Sequence, residues 1–149
     1  MPSPRVLSVC IFSNDSRILV ARGFDEVKNE HFFRPIGGAV EFGETTAETI
    51  RREVGEELGV QIEQVVRIGV LENLFHFDGK PGHEIIFVFN AKFVDKTLYT
   101  ETTLPIHEEG WVGPAQWINV KALPTTPLYP DGIIELLTEW HDPSIHRRG

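Results

Sequence analysis

Gly38-Ala39-Val40-Glu41-Phe42-Gly43-Glu44-Thr45-Thr46-Ala47-Glu48-Thr49-Ile50-Arg51-Arg52-Glu53-Val54-Gly55-Glu56-Glu57-Leu58-Gly59-Val60 combines a helical pattern with a cluster of acids. Ala47, Ile50, Val54 and Leu58 recur at steps of three and four, which predicts a helix from Thr45 to Leu58 with one buried stripe. Thr45 or Thr46 can cap its start, and Gly59 can end it in a left-handed conformation. Glu53, Glu56 and Glu57 stand at i, i+3 and i+4, so their carboxylates share one side, flanking the apolar stripe. Acids crowded in this way repel one another unless a cation neutralises them. Oxygen ligands of this kind suit Mg²⁺, which takes a few carboxylates and then the phosphates of a substrate. The plainer alternative is a solvated acidic helix face. Gly55, inside the helix, costs roughly 1 kcal/mol against Ala, and close packing or ligand approach would account for it.

The fixed positions Gly38, Glu44, Arg52, Glu53, Val54, Glu56, Glu57, Gly59 and Val60 match the Nudix box throughout. A chance match at one start position is on the order of 10⁻⁹ at average residue usage. The chain therefore resembles the Nudix hydrolases, and the order of elements extends the resemblance over nearly its whole length. The resemblance implies an α/β fold, an α/β/α sandwich with a mixed β-sheet and the box as a loop–helix–loop. It implies a divalent-metal-dependent hydrolase that splits a nucleoside diphosphate linked to a further group X, using Mg²⁺ or Mn²⁺. By position, Glu53 and Glu57 correspond to direct metal ligands, and Glu56 to a third ligand or a holder of metal-bound water. The backbone carbonyl of Gly37 corresponds to the family's usual non-carboxylate ligand, and Arg52 and Glu44 to residues that orient a catalytic glutamate. A nucleotide-sensing domain without turnover is the rival reading. Such domains lose box glutamates, and this chain keeps them.

Two departures from the family pattern are visible. Proline sits one residue early, in Arg34-Pro35-Ile36-Gly37-Gly38. Several relatives bring a further Glu from a loop ahead of a late strand, whereas here Gln116 precedes Trp117 and cannot act as a base. Glu108 and Glu109 lie in the preceding loop and are the candidates to replace it. For phosphate contacts the best-placed cations are Arg22 and Arg34. The positions that separate family subclasses by Pro or Tyr hold His76, Phe77 and Asp78, which leaves a (deoxy)nucleoside triphosphate or a small nucleotide conjugate by elimination. The histidines show no metal-ligand spacing, and His83, opening an apolar strand, is the one to watch. Trp111, Trp117, Phe75 and Phe77 are candidates to stack on a base, although aromatics near strands are more often core.

Composition sets the frame. With 149 residues, 41% hydrophobic and 24% charged, the chain reads as one domain spanning residues 1–149. The first residues lack a signal-peptide layout, and no apolar run is long enough to span a membrane. A lone Cys10 in an apolar strand pattern reads as buried and inert, which suits a reducing cytoplasmic setting. A net charge of −8 argues against gripping a nucleic-acid backbone. It does not argue against a small nucleotide, because local arginines and a divalent ion can reverse the sign inside a pocket. The expected partner is a small-molecule nucleotide, with no nucleic acid and no membrane, and a homodimer is left open.

Strands are expected at Val6–Phe12 and Ile18–Arg22 joined as a hairpin, with a Pro-Ile-Gly-Gly loop before the helix. A long or bent strand follows at Val65–Phe77, then a strand at Glu84–Val94 whose run Ile85 to Phe89 suggests a central place. A polar connection at Asp95–Pro114, a short strand at Ala115–Val120 and a second helix at Asp131–Trp140 complete the order. His141 to Gly149 reads as a frayed end.

Overall fold

Ile85 to Phe89 has apolar side chains on both sides of the strand, and such a segment needs cover on both faces. A computed structural model, which describes residues 2–122 and 125–141, gives it that cover. The elements run β1 (Arg5–Ile11), β2 (Ser13–Asn14), β3 (Arg17–Asp25), β4 (Glu30–Arg34), β5 (Ile36–Ala39) and α1 (Thr46–Leu58). They continue as β6 (Ile62–Phe77), β7 (Lys80–Phe93), β8 (Thr103–Leu104), β9 (Ala115–Asn119) and α2 (Ile133–His141). The first sheet has the order β5-β1-β7-β6, mixed because β1 and β7 run parallel while the outer pairs are antiparallel. A second sheet orders β2-β3-β9-β8 and adds β4 beside β3.

Alternation along the strands sorts the core into two layers. Cys10, Leu19, Phe89 and Phe93 pack with Ile50, Val54 and Leu58 of α1. Val9, Val20, Ile86 and Val88 pack with Ile133 and Leu137 of α2. The helices thus cover opposite layers, as the expected α/β/α sandwich requires. Cys10 is fully buried, and burial pushes its thiol far above the usual range, as an inert cysteine should be.

Three local expectations need correction. The expected hairpin does not join β1 to β3: the chain changes sheets at Phe12, and it is β2 that pairs with β3, at Ser13↔Ile18 and Asn14↔Arg17. The Gly-Gly segment is no loop but lies in edge strand β5, with Gly37 opposite Val9 and Gly38 opposite Ser8. A Cβ at Gly38 would overlap the Glu53 carboxyl, so glycine here lets the strand lie against the acids of α1. The polar connection contains a short 3₁₀ turn at Lys96–Thr100 and strand β8. The long strand is bent as expected, with register shifts between Glu63 and Val66 and between Arg67 and Gly69. Beyond His141, which closes α2, the expected frayed end including His146 lies outside the described residues. No helix among the described residues is long and apolar enough to cross a membrane.

Helix α1 begins with a capping box. Thr45 Oγ1 accepts from Glu48 N at 3.1 Å, and Glu48 Oε1 accepts from Thr45 N at 2.9 Å. Gly59 closes it at φ 67°, its N–H donating to the Gly55 carbonyl. Gly55 itself is exposed, and an added Cβ would meet open space, so neither close packing nor an apposed side chain accounts for it. Gly55→Ala is therefore expected to raise stability by about 0.5–1 kcal/mol through helix propensity. Chemical denaturation of both proteins checks this, and a loss of stability would show that the site carries a constraint beyond packing.

Candidate active site

Glu57 lies one turn beyond Val54 on the inward side of α1, so the helix that packs the core also drives a carboxylate into it. Glu57 is 2% exposed, more deeply buried than a residue merely flanking the apolar stripe would be. Its Oε2 accepts the Gly37 N–H at 3.2 Å, which ties β5 to α1. Glu53 comes from the preceding turn of α1, and Glu108 reaches in from the loop before β9. Carboxylate oxygens of Glu53, Glu57 and Glu108 all lie within 4.8 Å of one another. Burial pushes the Glu57 carboxyl up to about 10, helped by the hydrogen bond and charge of Glu108 and by the charge of Glu53. Burial also raises Glu53, against the pull of Arg52, with Glu108 and Glu56 adding to the rise. Carboxyls held this close keep protons unless a cation takes their place. The oxygen-only donor set, and the absence of a Cβ at Gly38 beside Glu53, fit a hard divalent ion.

Arg52 is held on the far side of Glu53. It forms a two-pronged pair with Glu44, Nε to Oε2 at 2.7 Å and Nη2 to Oε1 at 3.0 Å. Its Nη1 donates to Glu53 at 2.8 Å and to Glu56 at 3.3 Å, and Nη2 also reaches the Ala39 carbonyl. The hydrogen bonds from Arg52 and from Thr49 hold the Glu44 carboxyl at about 2. Arg52 therefore fixes one face of Glu53, while the i, i+4 pair with Glu56 is one contact among several. Glu56 stays exposed and outside the carboxylate trio, and Glu109 is exposed with no partner among the described residues. Gln116 lies within β9, opposite Val20 and Thr103.

The carboxylate trio lies in a cavity of about 320 Å³ that also touches Arg34, Pro35, Gly37 and Gly38. A second cavity of about 370 Å³ adjoins it, sharing Arg5, Arg34, Glu84 and Trp111 as a common wall. Its surface is aromatic: Phe24, Phe32, Phe75, Phe77 and Tyr129. Two of these rings fold over cross-strand glycines, Phe32 over Gly23 and Phe75 over Gly82. Tyr129 is brought in by the segment running beside β4, where Phe33 N donates to Pro127 O and Tyr129 N donates to Phe33 O, both at 2.8 Å. Its hydroxyl donates to Glu30 Oε1 at 3.0 Å. Asp25 ties two rims together, accepting from Val27 N, Lys28 N and Asp78 N, which lowers its carboxyl.

Of the expected cations, Arg34 reaches both cavities and pairs with buried Glu84 at 3.3 Å. Arg22 lines neither; its carbonyl accepts from Val112 N at 2.7 Å and its buried Nε has no partner among the described residues. Trp111, Phe75 and Phe77 do line the aromatic cavity, whereas Trp117 packs against Phe93 and Tyr99. His83 is exposed. Glu84, Phe24, Phe32 and Tyr129 were not among the sequence candidates. Glu84 alone left a signal, a charge in step with inward Ile86 and Val88.

A model of the NUDIX domain matches residues 1–138. The NAD-capped RNA hydrolase NudC of Deinococcus radiodurans is 29% identical over 113 residues, covering 76% of this chain and 35% of that protein. The oxidized purine nucleoside triphosphate hydrolase of Mus musculus is 27% identical over 135 residues, covering 88% of this chain and 76% of that protein. The MutT NUDIX hydrolase from Burkholderia pseudomallei, a crystal structure, matches at TM-score 0.68 and 24% identity, over 91% of this chain and 98% of that one. The likeness to that structure bears on the fold. Against the NudC protein, the chain spans only about a third of the relative's length.

Proposed function

This chain belongs to the NUDIX family, and we propose that it is a divalent-cation-dependent pyrophosphohydrolase of a nucleoside diphosphate linked to a further group. The observation that carries this reading is the shared wall: an oxygen-donor trio opens directly onto an aromatic cavity through two arginines. A base fits among the rings, and the anhydride then falls beside the acids. Glu53, Glu57 and Glu108 would hold the cation, with Gly37 and Glu56 at its margin. Bound there, Mg²⁺ or Mn²⁺ would neutralise charge on the phosphate oxygens and acidify a water. Arg52 keeps Glu53 turned toward the cavity, and Glu44 keeps Arg52 in place. Arg34 offers a guanidinium to the phosphates at the junction. Glu108, exposed on its loop yet within reach of Glu57, is better placed than Glu109 to move a proton from the attacking water.

The names of the relatives fit a nucleotide substrate, one an NAD cap and one an oxidized purine nucleoside triphosphate. The net charge of −8 favours the free nucleotide over an RNA chain. Release of phosphate or pyrophosphate across a nucleotide panel, with and without Mg²⁺, tests the proposal. Reaction in ¹⁸O-labelled water should place the label on a phosphate product. Tight nucleotide binding by metal-replete protein with no product from any member of the panel would overturn it in favour of a sensor.

A further inference from the structure

Glu84 occupies a position that an apolar residue would ordinarily fill. It precedes Ile86 and Val88 on the same face of β7, and both of those are buried in the layer under α2. Glu84 is itself 2% exposed. Its recorded cations are Arg34 Nη2 at 3.3 Å and Arg5 Nη1 at 3.8 Å, the second too long for a hydrogen bond. A carboxylate offers about four acceptor sites, and leaving them unfilled in a buried place is costly. Among the described residues no further donor to Glu84 is recorded. The residue lines both cavities, so its remaining acceptor sites are open to whatever fills them, water or a ligand.

The order of groups in a nucleotide identifies the donor. Base, sugar and phosphates follow one another, and so do the aromatic cavity, the wall at Glu84 and the carboxylate trio. With the base among the rings and the phosphates near the acids, the sugar falls at Glu84. We infer that Glu84 accepts hydrogen bonds from the ribose hydroxyls, its two oxygens matching the vicinal 2′ and 3′ groups, and so selects ribonucleotides over 2′-deoxyribonucleotides. This rests on the pyrophosphohydrolase reading, since it takes the same orientation of the nucleotide. A site that hydrogen-bonds a substrate hydroxyl discriminates against the analogue lacking it, because the buried acceptor is left unpaired.

The test compares kcat/KM for ribonucleoside triphosphates and their 2′-deoxy counterparts, with Mg²⁺, in the wild type and in Glu84→Gln and Glu84→Met. The wild type should favour the ribo form by on the order of 10–100-fold, the worth of one hydrogen bond to a charged group. Glu84→Gln should shrink that ratio and Glu84→Met should bring it close to one. Release of Arg34 by either substitution would slow both sugar forms alike, so the ratio isolates the sugar contact. A wild type indifferent to the sugar, or variants that slow both forms with the ratio intact, would overturn the proposal. Should the variants fail to fold, calorimetric binding of ADP against 2′-dADP and GDP against 2′-dGDP to the wild type reads the same preference, and equal affinities would overturn it. Tighter binding of the ribo form without turnover would sink the hydrolase reading and leave the sugar contact standing.

Discussion

Glu57→Gln is expected to lower turnover by on the order of 10²-fold or more without any loss of metal-free stability; even outer-shell partners of a metal ligand cost about 10–100-fold. The two effects separate because of where Glu57 sits. It is buried, it accepts the Gly37 N–H, and burial pushes its carboxyl up to about 10. Without a cation the side chain is thus neutral at pH 7, and glutamine copies that neutral form in volume and in its carbonyl acceptor. What glutamine cannot supply is the charge that would draw a divalent ion to Glu53 and Glu108. Steady-state rates and thermal melts of metal-free protein read the two sides. Glu108→Gln should also slow turnover, while Glu109→Gln, exposed and outside the trio, should stay near wild type. A Glu57→Gln protein with near-normal rates would remove Glu57 from the cation site.

Helix α1 was legible because its signals are local. Thr45, Glu48 and Gly59 cap and close it through neighbours a few residues away, and the stripe Ile50, Val54, Leu58 lies within it. The burial of Glu57 was less so, since an apolar count passes over an acid on the inward side. Strand β5 was hidden for a different reason. Gly37 and Gly38 have poor strand propensity, and what makes them a strand is pairing with Val9 and Ser8, a contact between distant residues. The same holds for the sheet change at Phe12: a turn signal at Asn14 and Asp15 announces a hairpin but does not say which strand it serves. The acid end of the site comes mostly from one helix and could be read from its spacing. The aromatic end is assembled from β3, β4, β6 and the segment before α2, and no sequence period links Phe24, Phe32, Phe75 and Tyr129.

Chelation is expected to abolish activity, and the stabilisation by Mg²⁺ is expected to grow with pH. The sign follows from Glu57. Its folded-state value near 10 stands above its ordinary value of 4.5, so between those limits the native protein keeps a proton that the unfolded chain gives up. In that window the metal-free fold loses stability as pH rises, with the contribution of Glu57 fully present only below the ordinary value. A cation that takes the proton's place expels it, so each step up in pH favours the cation by as much as about tenfold per unit for one proton. Melting temperatures with and without Mg²⁺ should therefore lie closer together at pH 6 than at pH 8. Mixing Mg²⁺ with protein in weak buffer should also acidify the solution. Glu57→Gln should flatten both responses, because its amide has no proton to release. If the Mg²⁺ increment proves independent of pH in the wild type, or keeps its slope in Glu57→Gln, the cation is not bound where the carboxylate trio crowds and the metal assignment fails with it.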